Sequence, residues 1–161
     1  MSNDNTLLDR GRFIWYHKYI LVFELSVREV KSLTKKEFYD EWIKEFCKDV
    51  PQSLINRHIL KKGNFLWHVF SYELLSDGRY LSGEKANEAF DLVSKQGALY
   101  IEGIDYQRSK DMNKEVHQII PEMETADCLS QFWEVYVVGK NFKWTYIKTH
   151  ENGFGPYFMK R

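Results

Sequence analysis

Apolar and polar positions change rhythm along the chain, and the changes mark out elements. Phe38, Tyr39, Trp42, Ile43 and Phe46 recur at three- and four-residue spacing with Lys and Glu between them. That is the stripe of an amphipathic helix. Thr34 precedes it and Glu37 follows three residues on, which is the pattern of a capping box. Leu33 is placed to staple onto Phe38, and Pro51 marks the stop. Residues 65–74 (FLWHVFSYEL) are apolar on both parities, so the pattern predicts a central strand covered on both sides. A second helix is expected from Ser82 as N-cap, with Ala86, Ala89, Phe90 and Val93 as its inner stripe and Gly97 at its end.

The rest reads as strand and turn. Residues 12–25 (RFIWYHKYILVFEL) are aromatic and β-branched and predict one or two strands, an N-terminal extension of the domain after a disordered leader, residues 1–11. Residues 98–104 and 115–120 predict further strands, with polar loop over 105–113 between them. Residues 125–132 predict a short helix. Residues 133–138 (WEVYVV) and 142–149 (FKWTYIKT) flank Gly139-Lys140-Asn141 and predict a hairpin. Residues 157–159 predict a last short strand. The fold class that follows is α+β: a single domain, mainly antiparallel sheet, with two to three helices packed on it.

Size and charge narrow the function. The chain has 161 residues, 43% apolar and 29% charged, enough for one soluble domain with a real core. Lys and Arg number 23 and Asp and Glu 23. A balanced charge argues against a duplex-DNA binder or a polybasic membrane protein. The balance is uneven along the chain, however. Residues 1–62 hold 12 cations against 9 anions, residues 63–139 hold 6 against 13, and residues 140–161 hold 5 against 1. The basic end can pair with the acidic middle or face a charged partner. Two cysteines, Cys47 and Cys128, are too few for a disulfide scaffold and lack zinc-site spacing. No secretory signal pattern opens the chain and no apolar run reaches a bilayer's width. A cytoplasmic protein is the expectation, with no cofactor and no metal.

Catalytic signatures are absent: no phosphate-binding glycine loop, no GxGxxG, no GxSxG and no EF-hand loop. His150-Glu151 begins like a zincin motif, but Phe154 occupies the place of the second histidine. What chemistry remains falls in three places. Trp67, His68, Tyr72 and Glu73 lie on the expected central strand. Lys148, Thr149, His150 and Glu151 lie at the exit of the hairpin. If the two meet, the histidines and a glutamate could form an acid–base or ligand site. Third, Phe142, Trp144 and Tyr146 fall on one strand parity beside Lys143 and Lys148. Aromatics among cations can stack bases and hold phosphates, or they can simply be the sheet's core face.

Several motifs recur together. Residues 66–73 (LWHVFSYE), 81–86 (LSGEKA), 142–145 (FKWT), 148–151 (KTHE) and 155–158 (GPYF) resemble an uncharacterised family of small bacterial proteins known only as a domain of unknown function. The resemblance runs from about Val27 to Phe158. It implies a bacterial or phage cytosolic domain and carries no activity or ligand. It does group positions, adding Glu84 and Tyr157 to those already named as candidates. The first expectation for function is a non-catalytic intracellular module that captures a protein partner, of the toxin-immunity or phage–host conflict kind. The alternative is a pocket for a small anionic ligand, such as a nucleotide, bound or hydrolysed by Trp67, His68, Lys148 and His150.

Overall fold

The computed structural model describes residues 33–76, 78–103 and 112–161, and the expected leader and the strands over 12–25 lie outside them. Residues Leu33–Arg161 form one compact unit. Its helices are α1 (Lys35–Phe46), α2 (Gln52–His58), α3 (His68–Ser71) and α4 (Glu84–Leu92). Its strands are β1 (Leu81–Ser82), β2 (Leu99–Glu102), β3 (His117–Gln118), β4 (Val135–Val138), β5 (Trp144–Lys148) and β6 (Tyr157–Lys160). They form one sheet in the order β1-β6-β5-β4-β2-β3, and each neighbouring pair is antiparallel. The α+β class and the antiparallel sheet are as the sequence implies.

The two faces of this sheet are separate cores. Tyr136, Ile147 and Tyr157 are in register across β4, β5 and β6. They pack with the stripe of α1 and with Ile55, Leu66, Val69 and Phe70. The neighbouring row, Val137, Tyr146 and Phe158, points the other way and packs with Ala86 and Phe90 of α4 and with Met123 and Leu129. Alternation along a strand sends successive side chains to opposite faces, so each central strand feeds both cores.

α1 is built as its sequence dictates. The Glu37 amide donates to Thr34 Oγ1 at 3.2 Å, and the Thr34 amide donates to Glu37 Oε2 at 2.9 Å, closing the capping box. Phe38, Tyr39, Trp42 and Phe46 are its buried face. Trp42 Nε1 donates to Thr145 Oγ1 at 2.9 Å, and that hydroxyl donates on to the Val137 carbonyl at 3.0 Å. One indole thus bolts α1 to the two central strands. The helix ends at Phe46, and Pro51 instead precedes α2, a helix the sequence reading did not include.

The strand expected over 65–74 is not one. Residues 66–67 form a turn and α3 follows. Leu66, Val69 and Phe70 are fully buried at helical spacing, and Trp67 is buried in the same core. Buried residues stand on both parities of this short run, so alternation could not separate helix from strand. Gly63 and Asn64 have positive φ, 89° and 60°, and turn the chain before it can extend. The centre of the sheet is the β4–β5 hairpin.

Other boundaries shift for local reasons. Ser82 pairs with Tyr157 in β1 and does not cap α4; Gly83 precedes that helix. α4 stops at Leu92, ahead of Gly97, and the Lys95 ammonium takes up the carbonyls of Phe90 and, at 2.9 Å, Val93. Only His117–Gln118 of the 115–120 segment pairs as strand, and the 125–132 helix shrinks to a 3₁₀ turn over Cys128–Gln131. The hairpin turn is longer than expected, with a 3₁₀ turn at Lys140–Phe142. Its Gly139 is required: a Cβ there would sit 2.3 Å from Trp144 Nε1.

Candidate functional site

Glu134 lies one residue before β4, and its side chain is completely buried. A bare carboxylate in such a place is strongly disfavoured unless donors replace water. Three do. Tyr136 Oη donates to Oε1 at 2.6 Å, from the same strand face two residues on. Trp67 Nε1 donates to Oε2 at 3.0 Å. His150 Nδ1 lies 2.5 Å from the same Oε2, and beside a carboxylate that nitrogen is the donor. Burial, and then the Glu134 charge, holds the Tyr136 phenol well above its ordinary range, so it remains a donor. Gly103 leaves the space: a Cβ there would lie 2.7 Å from Glu134 Cβ, while its amide donates to the Glu134 carbonyl at 2.8 Å.

The loop after β5 delivers His150. Thr149 is buried, and its Oγ1 lies 3.2 Å from the Glu151 carbonyl and 2.5 Å from that of Phe154, folding the loop back on itself. The His150 ring is stacked on Trp133 at 4.0 Å and 14° and meets Phe65 and Trp67 at 5.0 and 5.8 Å. Its Nε2 lies 3.8 Å from Oε1 of Glu151, whose side chain is half exposed.

His68 stands on the other side of Trp67, 4.4 Å between ring centres. Its Nδ1 donates to the His58 carbonyl at 2.9 Å. Burial pushes its pKa below the ordinary histidine value; Lys62 and His150 push the same way, against the His58 hydrogen bond and Glu151. Around these groups stand three exposed aromatics. Trp133 is 64% exposed, Phe154 45% and Tyr72 43%. Phe154 is 5.9 Å from Trp67, and Tyr72 is 5.2 Å from His68 and 4.6 Å from His58. The result is a surface of aromatic rings and imidazoles resting on a buried, fully hydrogen-bonded carboxylate.

The structure therefore gathers Trp67, His68, Tyr72, His150 and Glu151 in one place. Other candidates stand elsewhere. Glu84 is exposed in the first turn of α4. Lys143 is exposed in the hairpin turn. Glu73 is exposed just after α3, with a left-handed φ of 52°. Tyr157 is buried and stacked on Phe70 at 4.7 Å. Trp144 is buried against Phe90 and Phe158. Lys148 sends its ammonium to the Phe132 carbonyl and, at 3.4 Å, to that of Trp133. It braces the backbone behind the surface and does not line it. The aromatic trio of the hairpin divides: Phe142 packs against Phe38 in one core, Trp144 and Tyr146 against Phe90 in the other. All three are buried, so they are core and not a stacking platform.

Glu134, Tyr136, Trp133 and Phe154 went unread as site residues. One signal was present: Glu134 is the sole charge in an otherwise apolar strand, WEVYVV. A charge kept inside such a run has a buried partner. Among the described residues, no three His, Cys, Asp or Glu side chains are arranged to hold a metal ion. Two surface cavities, of about 580 and 430 Å³, lie elsewhere, beside Lys95 and Pro121 and beside Arg79 and Lys160.

Fold and site together define an antiparallel α+β domain with an aromatic–histidine surface built over one buried glutamate. The chain belongs to the family described as domain of unknown function DUF4275, whose model matches residues 18–158. No curated protein and no solved structure matches it. Among the described residues, no helix is long and apolar enough to cross a membrane.

Proposed function

We propose that this domain is a binding protein without catalysis, an intracellular module that recognises a protein partner through the surface around His150. The observation that carries this reading is the convergence of Trp133, Phe154 and Tyr72, all exposed, over a rigid floor of Trp67, His68 and His150. Trp and Tyr dominate the binding energy of protein interfaces, because they offer large rigid area at small entropic cost. The floor is pre-organised, because Glu134 fixes both Trp67 and His150 through their ring N–H groups. The basic segment contributes less than its charge suggests, since Lys148 is engaged by backbone carbonyls. Capture of a partner in toxin immunity or phage–host conflict is the setting this reading fits.

The test is a photo-crosslinking amino acid placed at Trp133 of the full chain in the producing cell. A second position, Leu92, 87% exposed on α4, serves as control. A discrete adduct at 133, missing at 92 and lost in Phe154→Ala, supports the reading. The same adducts at both positions, or none at 133, refute it.

A second reading rests on the Glu134–His150 pair. A buried carboxylate on Nδ1, with Nε2 3.8 Å from the half-exposed Glu151, is an arrangement suited to holding an anionic ligand or moving a proton. Native mass spectrometry of the purified chain distinguishes it: a retained small molecule, lost in His150→Ala, favours the ligand over the protein partner.

A further inference from the structure

Trp133 stands at one end of a row of rings. Ring contacts run from Trp133 to His150 at 4.0 Å, on to Trp67 at 5.8 Å, to His68 at 4.4 Å, to Tyr72 at 5.2 Å and to His58 at 4.6 Å. The far end is basic. His58 closes α2, Arg57 precedes it, and Lys61 and Lys62 lie in the 3₁₀ turn that follows, Leu60–Lys62. Gly63 seats that turn against the row: a Cβ there would lie 2.7 Å from the Phe65 ring, which is 5.4 Å from His68 and 5.0 Å from His150. Lys62 is within electrostatic reach of His68.

The charge at this end is unbalanced. Residues 50–72 contain no Asp or Glu. Arg57, Lys61 and Lys62 are exposed, and among the described residues none of the three has a carboxylate partner. Cations elsewhere do: Lys36 with Asp40, Lys44 with Glu41 and Arg79 with Asp49. Two acids border the row. Glu73 follows Tyr72 at the basic end and is exposed, and Glu151 stands at the other end, 3.8 Å from His150 Nε2. Lys148 adds no free cation there, because backbone carbonyls take up its ammonium.

We propose that the partner offers this surface an acidic segment: its carboxylates meet Arg57, Lys61 and Lys62, and an apolar or aromatic side chain meets Trp133 and Phe154. The proposal rests on the reading of this surface as the site of a protein partner. Confinement of the cations to one end favours a peptide over a nucleic acid. A single strand carries a phosphate at every nucleotide, needs cations along its whole path, and would bring phosphate to Glu151. A peptide carries charge only where its sequence puts it. Cations at the margin of an aromatic patch select and steer a partner, while the rings supply most of the affinity.

The test uses the purified full chain and fluorescein-labelled peptides of about seven residues, the length of extended chain that follows the row at about 3.3 Å per residue. Each has tryptophan at one end and glutamates at the other, in both orders; matched peptides carry glutamine or lysine in place of glutamate. Anisotropy titrations are run at low and at physiological salt. The glutamate peptide should bind about tenfold more tightly than the glutamine one, with lysine weakest, and salt should shrink the difference. Arg57→Gln, Lys61→Gln and Lys62→Gln combined should abolish that preference at an unchanged melting midpoint. Lys143→Gln should preserve it, and Trp133→Ala should weaken all the peptides alike. Equal binding of glutamate and glutamine peptides, a preference that survives the triple variant, or tighter binding of a single-stranded oligothymidine, overturns the acidic segment. If the triple variant does not fold, the order of the peptides and its salt dependence in the parent decide by the same criterion. Crosslinking at Trp133 separates this proposal from the reading beneath it. An adduct whose yield is unchanged in the triple variant removes the acidic segment and keeps the protein partner; a glutamate preference without any adduct removes the protein partner alone.

Discussion

Replacing Glu134 by glutamine tests the foundation of the site with almost no change in volume. An amide can still accept the Tyr136 hydroxyl through its oxygen. Its NH₂ group then replaces Oε2, where Trp67 Nε1–H and His150 Nδ1–H both donate. Two donors would meet a third. Turning the amide over satisfies those two and places the NH₂ against the Tyr136 oxygen, which can accept only by turning its own proton elsewhere. Either way at least one buried donor loses its partner, at about 1–3 kcal/mol each. The donors that stay paired also exchange a charge-assisted hydrogen bond for a neutral one about half as strong. We expect about 3 kcal/mol, which for a chain of this size lowers the thermal midpoint by roughly 6–12 °C. Circular dichroism melts and urea titrations at pH 7 measure it. Tyr136→Phe removes one donor and leaves the charge. The double variant should be less destabilised than the sum of the singles, since both act on one carboxylate. A midpoint shift under about 2 °C for Glu134→Gln, or strict additivity with Tyr136→Phe, would show that the three hydrogen bonds do not hold the site.

Trp42→Ala should cost about 3–5 kcal/mol, because it empties a fully buried site and removes the hydrogen bond to Thr145; Thr34→Ala, which opens the capping box alone, should cost about 1 kcal/mol. Urea midpoints distinguish the two. Burial pushes the Cys47 thiol up to about 12, so iodoacetamide at pH 8 should modify Cys128 in the folded protein and reach Cys47 only with denaturant, as intact and peptide mass spectra would show. Lys143→Glu should leave stability within about 0.5 kcal/mol. Lys148→Glu should lower the thermal midpoint by several degrees, since it sets a carboxylate against the carbonyls of Phe132 and Trp133; equal midpoints for the two would refute the bracing role.

The parts of this molecule that were legible in the sequence are those whose causes are local. Thr34 and Glu37 are three residues apart and make their capping box without help from the rest of the fold. The hairpin of β4 and β5 is likewise announced by neighbouring residues, although Phe142, with φ 53°, leaves the strand and carries its ring to the other core. α2 was hidden because a proline ends one helix as readily as it precedes the next. Residues 65–74 were misread because their buried members, Leu66, Trp67, Val69 and Phe70, fall on both parities and hide the period that separates strand from helix. What decided their form was a turn at Gly63 and Asn64 together with a tertiary bond, the Tyr39 hydroxyl donating to the Asn64 carbonyl.

The site was half legible for the same reason. His68 and His150 drew notice as chemistry-bearing types, and the structure does bring them to one cluster, with Trp67 between them. The residue that joins them was passed over. Glu134 acts through Trp67, 67 positions earlier, and through His150, 16 positions later. No local pattern encodes either pairing; the antiparallel register of Val135 with Lys148 sets the second, by placing the start of β4 beside the exit of β5. Burying a carboxylate there is a poor way to gain stability, since a well-packed apolar group of the same volume often serves as well or better. A carboxylate does what an apolar group cannot: it fixes the tautomer and the angle of one imidazole and the position of one indole, both beneath exposed aromatic rings. That expense in folding stability makes sense where the orientation of those rings is used. On the proposed binding function, that is the reason to look first at the surface above Glu134 rather than at the basic hairpin turn.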